Sequence, residues 1–224
     1  GQKYEPISVA LYEHMYQTQV GDFGCIQHEV YSFLGASPDG INILQSSPRF
    51  GRMLEIKNIV NREIDGIPKK EYWIQMQLQM ETCDLDECDF LETQFLLDEM
   101  SEYKGVIIQF TKEDGSLKYI HSPVGLNLLE LENWESRTVS EHSTWEWICN
   151  HYWKIEKLSC VLVERNRRWF SDNVGELAEL WNTVLKERIE GYEHRAPNKK
   201  TLLVEEDISA GMCLFAMNEN GKII

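Results

Sequence analysis

Basic residues are scarce in this chain. Its 224 residues include 22 Lys plus Arg against 37 Asp plus Glu, for a formal charge of −15. Taken alone, that balance speaks against a nucleic-acid partner, because phosphate binding ordinarily leaves a basic footprint. Long apolar runs are missing too. Stretches such as Val106-Ile107-Ile108 are strand-sized, well short of the roughly 18 to 20 residues of a membrane span, so no membrane partner is expected. Gly1-Gln2-Lys3-Tyr4 shows no basic region leading into an apolar one; no secretory leader is expected, and an intracellular setting is. CxxC is absent. Cys83 and Cys88 have no second pair to complete a zinc site. A core of this size needs no disulfide staples, so the six cysteines are expected as reduced thiols.

What is present is enough for a large core. The hydrophobic fraction is 42%, with 7 Trp, 9 Tyr and 8 Phe, which excludes a wholly disordered acidic chain. With no repeat, low-complexity tract or clear linker, one domain over 1–224 is expected, with a core of about 1–122 and a C-terminal extension of about 123–224. Residues 4–18 read as a helix, with Ile7, Ala10, Leu11 and Met15 at helical spacing and Pro6 in the first turn. Strands are expected at 41–44, 53–60, 88–97, 104–111 and 117–120, and a helix at 69–83. Residues 124–140 read as irregular, 141–153 as helix-like, 154–164 as strand-like and 172–190 as an amphipathic helix. The order implies an α/β or α+β fold with a central sheet.

Three pieces carry chemistry: Ser37-Pro38-Asp39-Gly40, Leu54-Glu55-Ile56-Lys57, and Tyr72-Trp73-Ile74-Gln75-Met76-Gln77. On a strand, Glu55 and Lys57 share one face while Leu54 and Ile56 take the other. A carboxylate and an ammonium flanked by core residues are each costly to bury alone. If the strands after Asp39 and around Glu55 pair as a hairpin, the two carboxylates converge. They would then be hard oxygen ligands suited to Mg²⁺ or Mn²⁺, and Lys57 would orient a water and offset transition-state charge.

The Pro-Asp, the gap of 15 residues and the Glu-Ile-Lys resemble the PD-(D/E)xK nuclease signature. More narrowly, GASPDGI, LEIK and the YWIQMQ helix resemble the YqaJ-like viral recombinase and lambda-exonuclease branch, over about residues 1–112. The resemblance implies a mixed central sheet flanked by helices, and a two-metal phosphodiester hydrolysis that uses Mg²⁺ or Mn²⁺. Asp39 and Glu55 would be metal ligands, with the backbone carbonyl of Ile56 as a third. Lys57 would activate water, Gln75 would lie near the metals, and Glu5 would reach a second metal site. Ser37 would hydrogen-bond a DNA phosphate, and Tyr72 shares the helical face of Gln75. Gln77 falls on a different face, and His28 fits the strand before the turn. Family members degrade one strand of duplex DNA from its 5′ end, assemble as rings and hand the product to a single-strand annealing protein; if viral, the chain would work in the cytoplasm or nucleus of a host cell. The family commonly places an arginine upstream of the Glu5 helix to hold the 5′ phosphate, and this sequence starts too late to show that position.

Charge is unevenly spread. Asp84 to Glu102 holds eight acids and no base, whereas Arg49, Arg52, Lys57, Arg62, Lys69 and Lys70 bracket the signature. Arg49, Arg52, Arg62, Lys69 and Lys70 are therefore candidate DNA contacts. The reading is a metal-dependent exonuclease. Its rivals are a structure-selective endonuclease on the same site and a non-catalytic DNA-binding subunit.

Overall fold

The computed structural model describes residues 3–97 and 103–196. It shows a mixed α/β architecture with a central mixed sheet flanked by helices. The chain divides into two compact units, Gly1–Trp181 and Asn182–Ile224.

In the first unit the elements run α1 (Glu5–Tyr16), β1 (Val20–Gly21), β2 (Ile26–Gln27), β3 (Gly35–Ala36), β4 (Gly40–Asn42), β5 (Met53–Asn58), α2 (Lys70–Thr82), β6 (Glu87–Leu97), β7 (Gly105–Thr111), β8 (Leu117–His121), α3 (Leu128–Glu141), β9 (Glu146–Glu164) and the beginning of α4 (Arg167–Glu190). Seven strands form one sheet in the order β1-β4-β5-β6-β9-β7-β8, and β2 and β3 form a separate hairpin. β5 and β6 run parallel, with α2 as their crossover; every other pair in the sheet is antiparallel. Such a crossover puts the helix on one face and buries both faces of the strands it joins.

Alternation along β5 shows the layering. Leu54 and Ile56 pack with Leu91 and Tyr12 on the α1 face, while Met53 packs with Phe90, Met76 and Met80 on the α2 face. Farther along the sheet, Ile107 and Trp153 meet Ile7 of α1, and Val106, Ile108 and Phe110 meet Leu131 of α3. One helix thus covers one face, and α2 and α3 share the other.

Two expectations are corrected. Residues 124–140 are not irregular. Asn127 accepts from the Glu130 amide and Glu130 accepts from the Asn127 amide, a capping box that starts α3. Residues 141–153 are not a helix: from Glu146 they begin β9, a 19-residue strand that pairs with β6 on one edge and β7 on the other. Residues beyond 122 therefore supply a central strand of the sheet. In the second unit the described residues are the end of α4 and a 3₁₀ turn, Glu193–Arg195, where Arg195 pairs with Glu187. The tail after Pro197, with Lys199, Lys200 and Cys213, lies outside the described residues, and the five other cysteines are free thiols.

Candidate active site

Glu55 is only 1% exposed, yet it is well supplied with donors. Its Oε1 accepts from Gln75 Nε2 at 2.8 Å and from Lys57 Nζ, and its Oε2 accepts from Gln79 Nε2 at 3.0 Å. Lys57 also donates to Gln75 Oε1 at 3.3 Å and lies 5.0 Å from the centre of the Tyr72 ring. The sequence arranges this simply. Strand alternation aims Glu55 and Lys57 toward α2, and positions 75 and 79, one helical turn apart, face them.

Asp39 ends the segment just before β4. Gly40 pairs with Leu54, so the next position along the antiparallel register sets Asp39 opposite Glu55. Its Oδ2 accepts the Ile56 amide at 2.6 Å. Burial, and then the charge of Glu55, push the Asp39 carboxyl up to about 6; the Ile56 amide and Lys57 pull the other way, and Glu5 adds to the rise. Two carboxylates are therefore crowded together at an electrostatic cost.

Asp39 opens onto a cavity of about 450 Å³, which Glu5, Val20, Asp22 and Ser37 also line. Ser37 lines a second cavity of about 280 Å³ with Gln75 and Gln79. The structure thus brings Asp39, Glu55, Lys57, Gln75, Tyr72, Ser37 and Glu5 into one neighbourhood. Among the described residues no three of His, Cys, Asp and Glu gather as a ready metal centre.

The basic candidates divide. Arg49 and Arg52 lie on the α1 side, where both engage Asp89, a carboxylate 1% exposed; Arg52 also holds Glu87, and the Arg49 guanidinium stacks 3.5 Å from the Tyr16 ring centre. Tyr12 donates to the same Asp89 at 2.5 Å and accepts from Asn42 at 2.9 Å. Arg62 engages buried Glu92 and lies over Tyr72. Lys69 and Lys70 are exposed at the start of α2. Gln77 points elsewhere, donating to the Glu164 carbonyl and accepting from the Asn166 amide. His28 Nδ1 accepts the Val30 and Tyr31 amides, and its ring stacks on Phe170. Sequence reasoning missed Gln79 and Asp22. Gln79 had a signal, its spacing of four from Gln75; nothing in the sequence near Asp22 marked it.

Residues 1–86 match the family model of the YqaJ-like viral recombinase domain. The chain is 29% identical, over a 236-residue alignment, to Uncharacterized protein R354 of Acanthamoeba polyphaga mimivirus, covering 83% of this chain and 43% of that protein. It therefore spans less than half the length of that relative. Among solved structures, LHK-Exo in complex with dAMP aligns over 86% of this chain and 69% of its own, at 19% identity and a TM-score of 0.45. A second structure, of an alkaline exonuclease (LHK-Exo) from Laribacter hongkongensis, aligns over 62% and 64%, at 25% identity and a TM-score of 0.36.

Proposed function

From the match of residues 1–86 to the YqaJ-like viral recombinase domain, we propose a Mg²⁺-dependent exonuclease. It hydrolyses phosphodiester bonds of duplex DNA, 5′ to 3′, in viral or phage-type recombination or repair. The observation that carries this reading is the convergence of Asp39 and Glu55 beside Lys57, Gln75 and Gln79.

The donor set suits a hard divalent cation. Two neighbouring carboxylates, a backbone carbonyl at Ile56 and Glu5 on the same cavity are all oxygen donors, and a cation would offset both the burial and the Glu55 charge that raise Asp39. When bound, Mg²⁺ or Mn²⁺, as two ions, supplies Lewis-acid polarisation of the phosphate and a more acidic water. The protein supplies the rest. The Ile56 amide fixes Asp39, and Gln75 and Gln79 fix Glu55. Lys57 holds a positive charge beside the reacting phosphate and orients the attacking water. Ser37, which lines the cavity, with Tyr72 beside Lys57 and the exposed Lys69 and Lys70, are the proposed DNA contacts; Arg49, Arg52 and Arg62 join them only in so far as they release Asp89 and Glu92. A homo-oligomeric ring and a single-strand annealing partner complete the proposal.

The test is one assay. Linear duplexes with 5′-phosphate or 5′-hydroxyl ends and a closed circular duplex are incubated with Mg²⁺, beside an Asp39→Ala control. The expected result is loss of the linear duplexes alone, and only with wild type. Cleavage of the circle would make the enzyme an endonuclease. Identical behaviour of wild type and control on every substrate would leave a non-catalytic DNA-binding subunit.

A further inference from the structure

A cavity of about 530 Å³ lies between the first turn of α1 and the β7–β8 hairpin, lined by Glu5, Pro6, Lys112, Lys118, Tyr119 and His121. That volume is in the range of about 300–1,000 Å³ typical of small-molecule sites, with room for a nucleotide. Glu5 and Pro6 also line the cavity into which Asp39 opens. The two hollows are therefore neighbours that share a wall.

The cationic character of this second hollow differs from that around Asp89. Arg49, Arg52, Lys57 and Arg62 are each bound to a buried carboxylate. Among the described residues, Lys112 and Lys118 have no carboxylate within ion-pair distance. Lys112 lies 5.8 Å from the centre of the Trp145 ring instead. Glu5 stands on the shared wall, and Asp114 in the turn accepts from the Ser116 hydroxyl and amide and feels Lys112 only through space, without an ion-pair contact. His121 is an uncharged part of the wall. A carbonyl only accepts, so His121 Nε2, 2.8 Å from the Lys3 carbonyl, is the protonated nitrogen, and burial lowers the ring's affinity for a second proton. In a chain of formal charge −15, lysines not already neutralised are where a polyanion is held.

We propose that this cleft binds the phosphate backbone of the DNA strand that enters the Asp39 cavity, with Lys112 and Lys118 as its phosphate contacts. The proposal rests on the nuclease reading above for the direction of the strand, but its binding step is measurable without cleavage.

The probe is a fluorescein-labelled blunt duplex, titrated with the full chain in EDTA and followed by anisotropy over a salt series. For Lys112→Ala/Lys118→Ala, affinity is expected to fall about tenfold or more. The slope of log K against log salt is expected to shrink by about two, near one for each phosphate that is no longer neutralised. Lys112→Arg/Lys118→Arg, which keeps both charges, is expected to bind like wild type. Lys186→Ala, which removes an exposed lysine paired with Glu190, is the control for net charge, and thermal melts confirm that each variant folds. If the double alanine variant is folded and binds no more weakly than Lys186→Ala, the cleft is not a DNA site. Should wild type still degrade linear duplex in that case, the nuclease reading survives alone. Should wild type degrade nothing while binding depends on the two lysines, the cleft stands and the nuclease reading falls.

Discussion

Lys57 is held by two acceptors on different elements, Glu55 on its own strand and Gln75 on α2. A lysine so restrained contributes to a reaction by position rather than by reach. Lys57→Ala is accordingly expected to cut single-turnover cleavage by two orders of magnitude or more, within the range of about 10²–10⁴ for a proton-handling group, while duplex affinity by anisotropy stays nearly constant. Equal losses in both would make Lys57 a binding residue. Asp39 has a signature in stability. Its folded-state value of about 6 lies above the ordinary 3.8, so the stability that protonated Asp39 lends is complete below pH 3.8 and is lost as pH rises through 6. Asn imitates the protonated acid. Metal-free Asp39→Asn is expected to melt like wild type near pH 3.5 and to be more stable at pH 8, by about 1 to 2 kcal/mol after solvent screening. Mg²⁺ is expected to raise the pH 8 melting temperature of wild type and not of the variant. At this scale the sequence was informative because strand spacing alone puts Glu55 and Lys57 on one face, a hairpin would bring Asp39 beside them, and the resemblance implies Gln75 nearby. Asp22 was not legible, since it reaches the cavity only through the path of the loop between β1 and β2.

The helices α1 and α2, the strands β4 to β8 and the second half of β9 were readable from the sequence pattern, whereas the two-residue strand β1, the helix α3 and the first half of β9 were not. In α3 only Leu131 and Thr138 are buried, so the apolar stripe is too thin to show a period, although the Asn127/Glu130 capping box was there to be read. Asn127→Ala is expected to cost about 1 kcal/mol in urea unfolding; no change would mean that α3 is held by Leu131 alone. In β9 the register shifts twice, between Gln94 and Phe95 on the β6 side and between Gln109 and Phe110 on the β7 side. Each shift inserts a residue and reverses the alternation beyond it. In the first half of β9 a period of two therefore never runs long enough to be seen, and Trp147, half exposed, and Trp153, buried, read together as a helix face.

For the whole molecule, the parallel pairing of β5 with β6 changes the meaning of the charge map. It lays Met53–Asn58, inside the basic stretch, against Cys88–Thr93, inside the acidic one, so Arg49 and Arg52 meet Asp89, and Arg62 meets Glu92. Much of the basic footprint expected for DNA is spent inside the fold. Arg49→Ala is expected to destabilise by about 2 to 3 kcal/mol, below the usual 3–5 for a broken buried pair because Arg52 and Tyr12 still serve Asp89. A variant of wild-type stability with weakened duplex binding would instead return Arg49 to the DNA contacts. With a formal charge of −15 over the whole chain, binding is expected to be weak and steeply salt-dependent.

β9 also sets the order in which the chain can become a protein during synthesis. It joins two half-sheets, yet it emerges only after both have left the ribosome. Until Glu164 is available, β6 and β7 each keep one bare edge, a template for pairing with any neighbouring chain. Nascent chains arrested before Glu146 are therefore expected to be open to protease and prone to cross-pair, and resistance should arrive in a single step once β9 clears the exit tunnel.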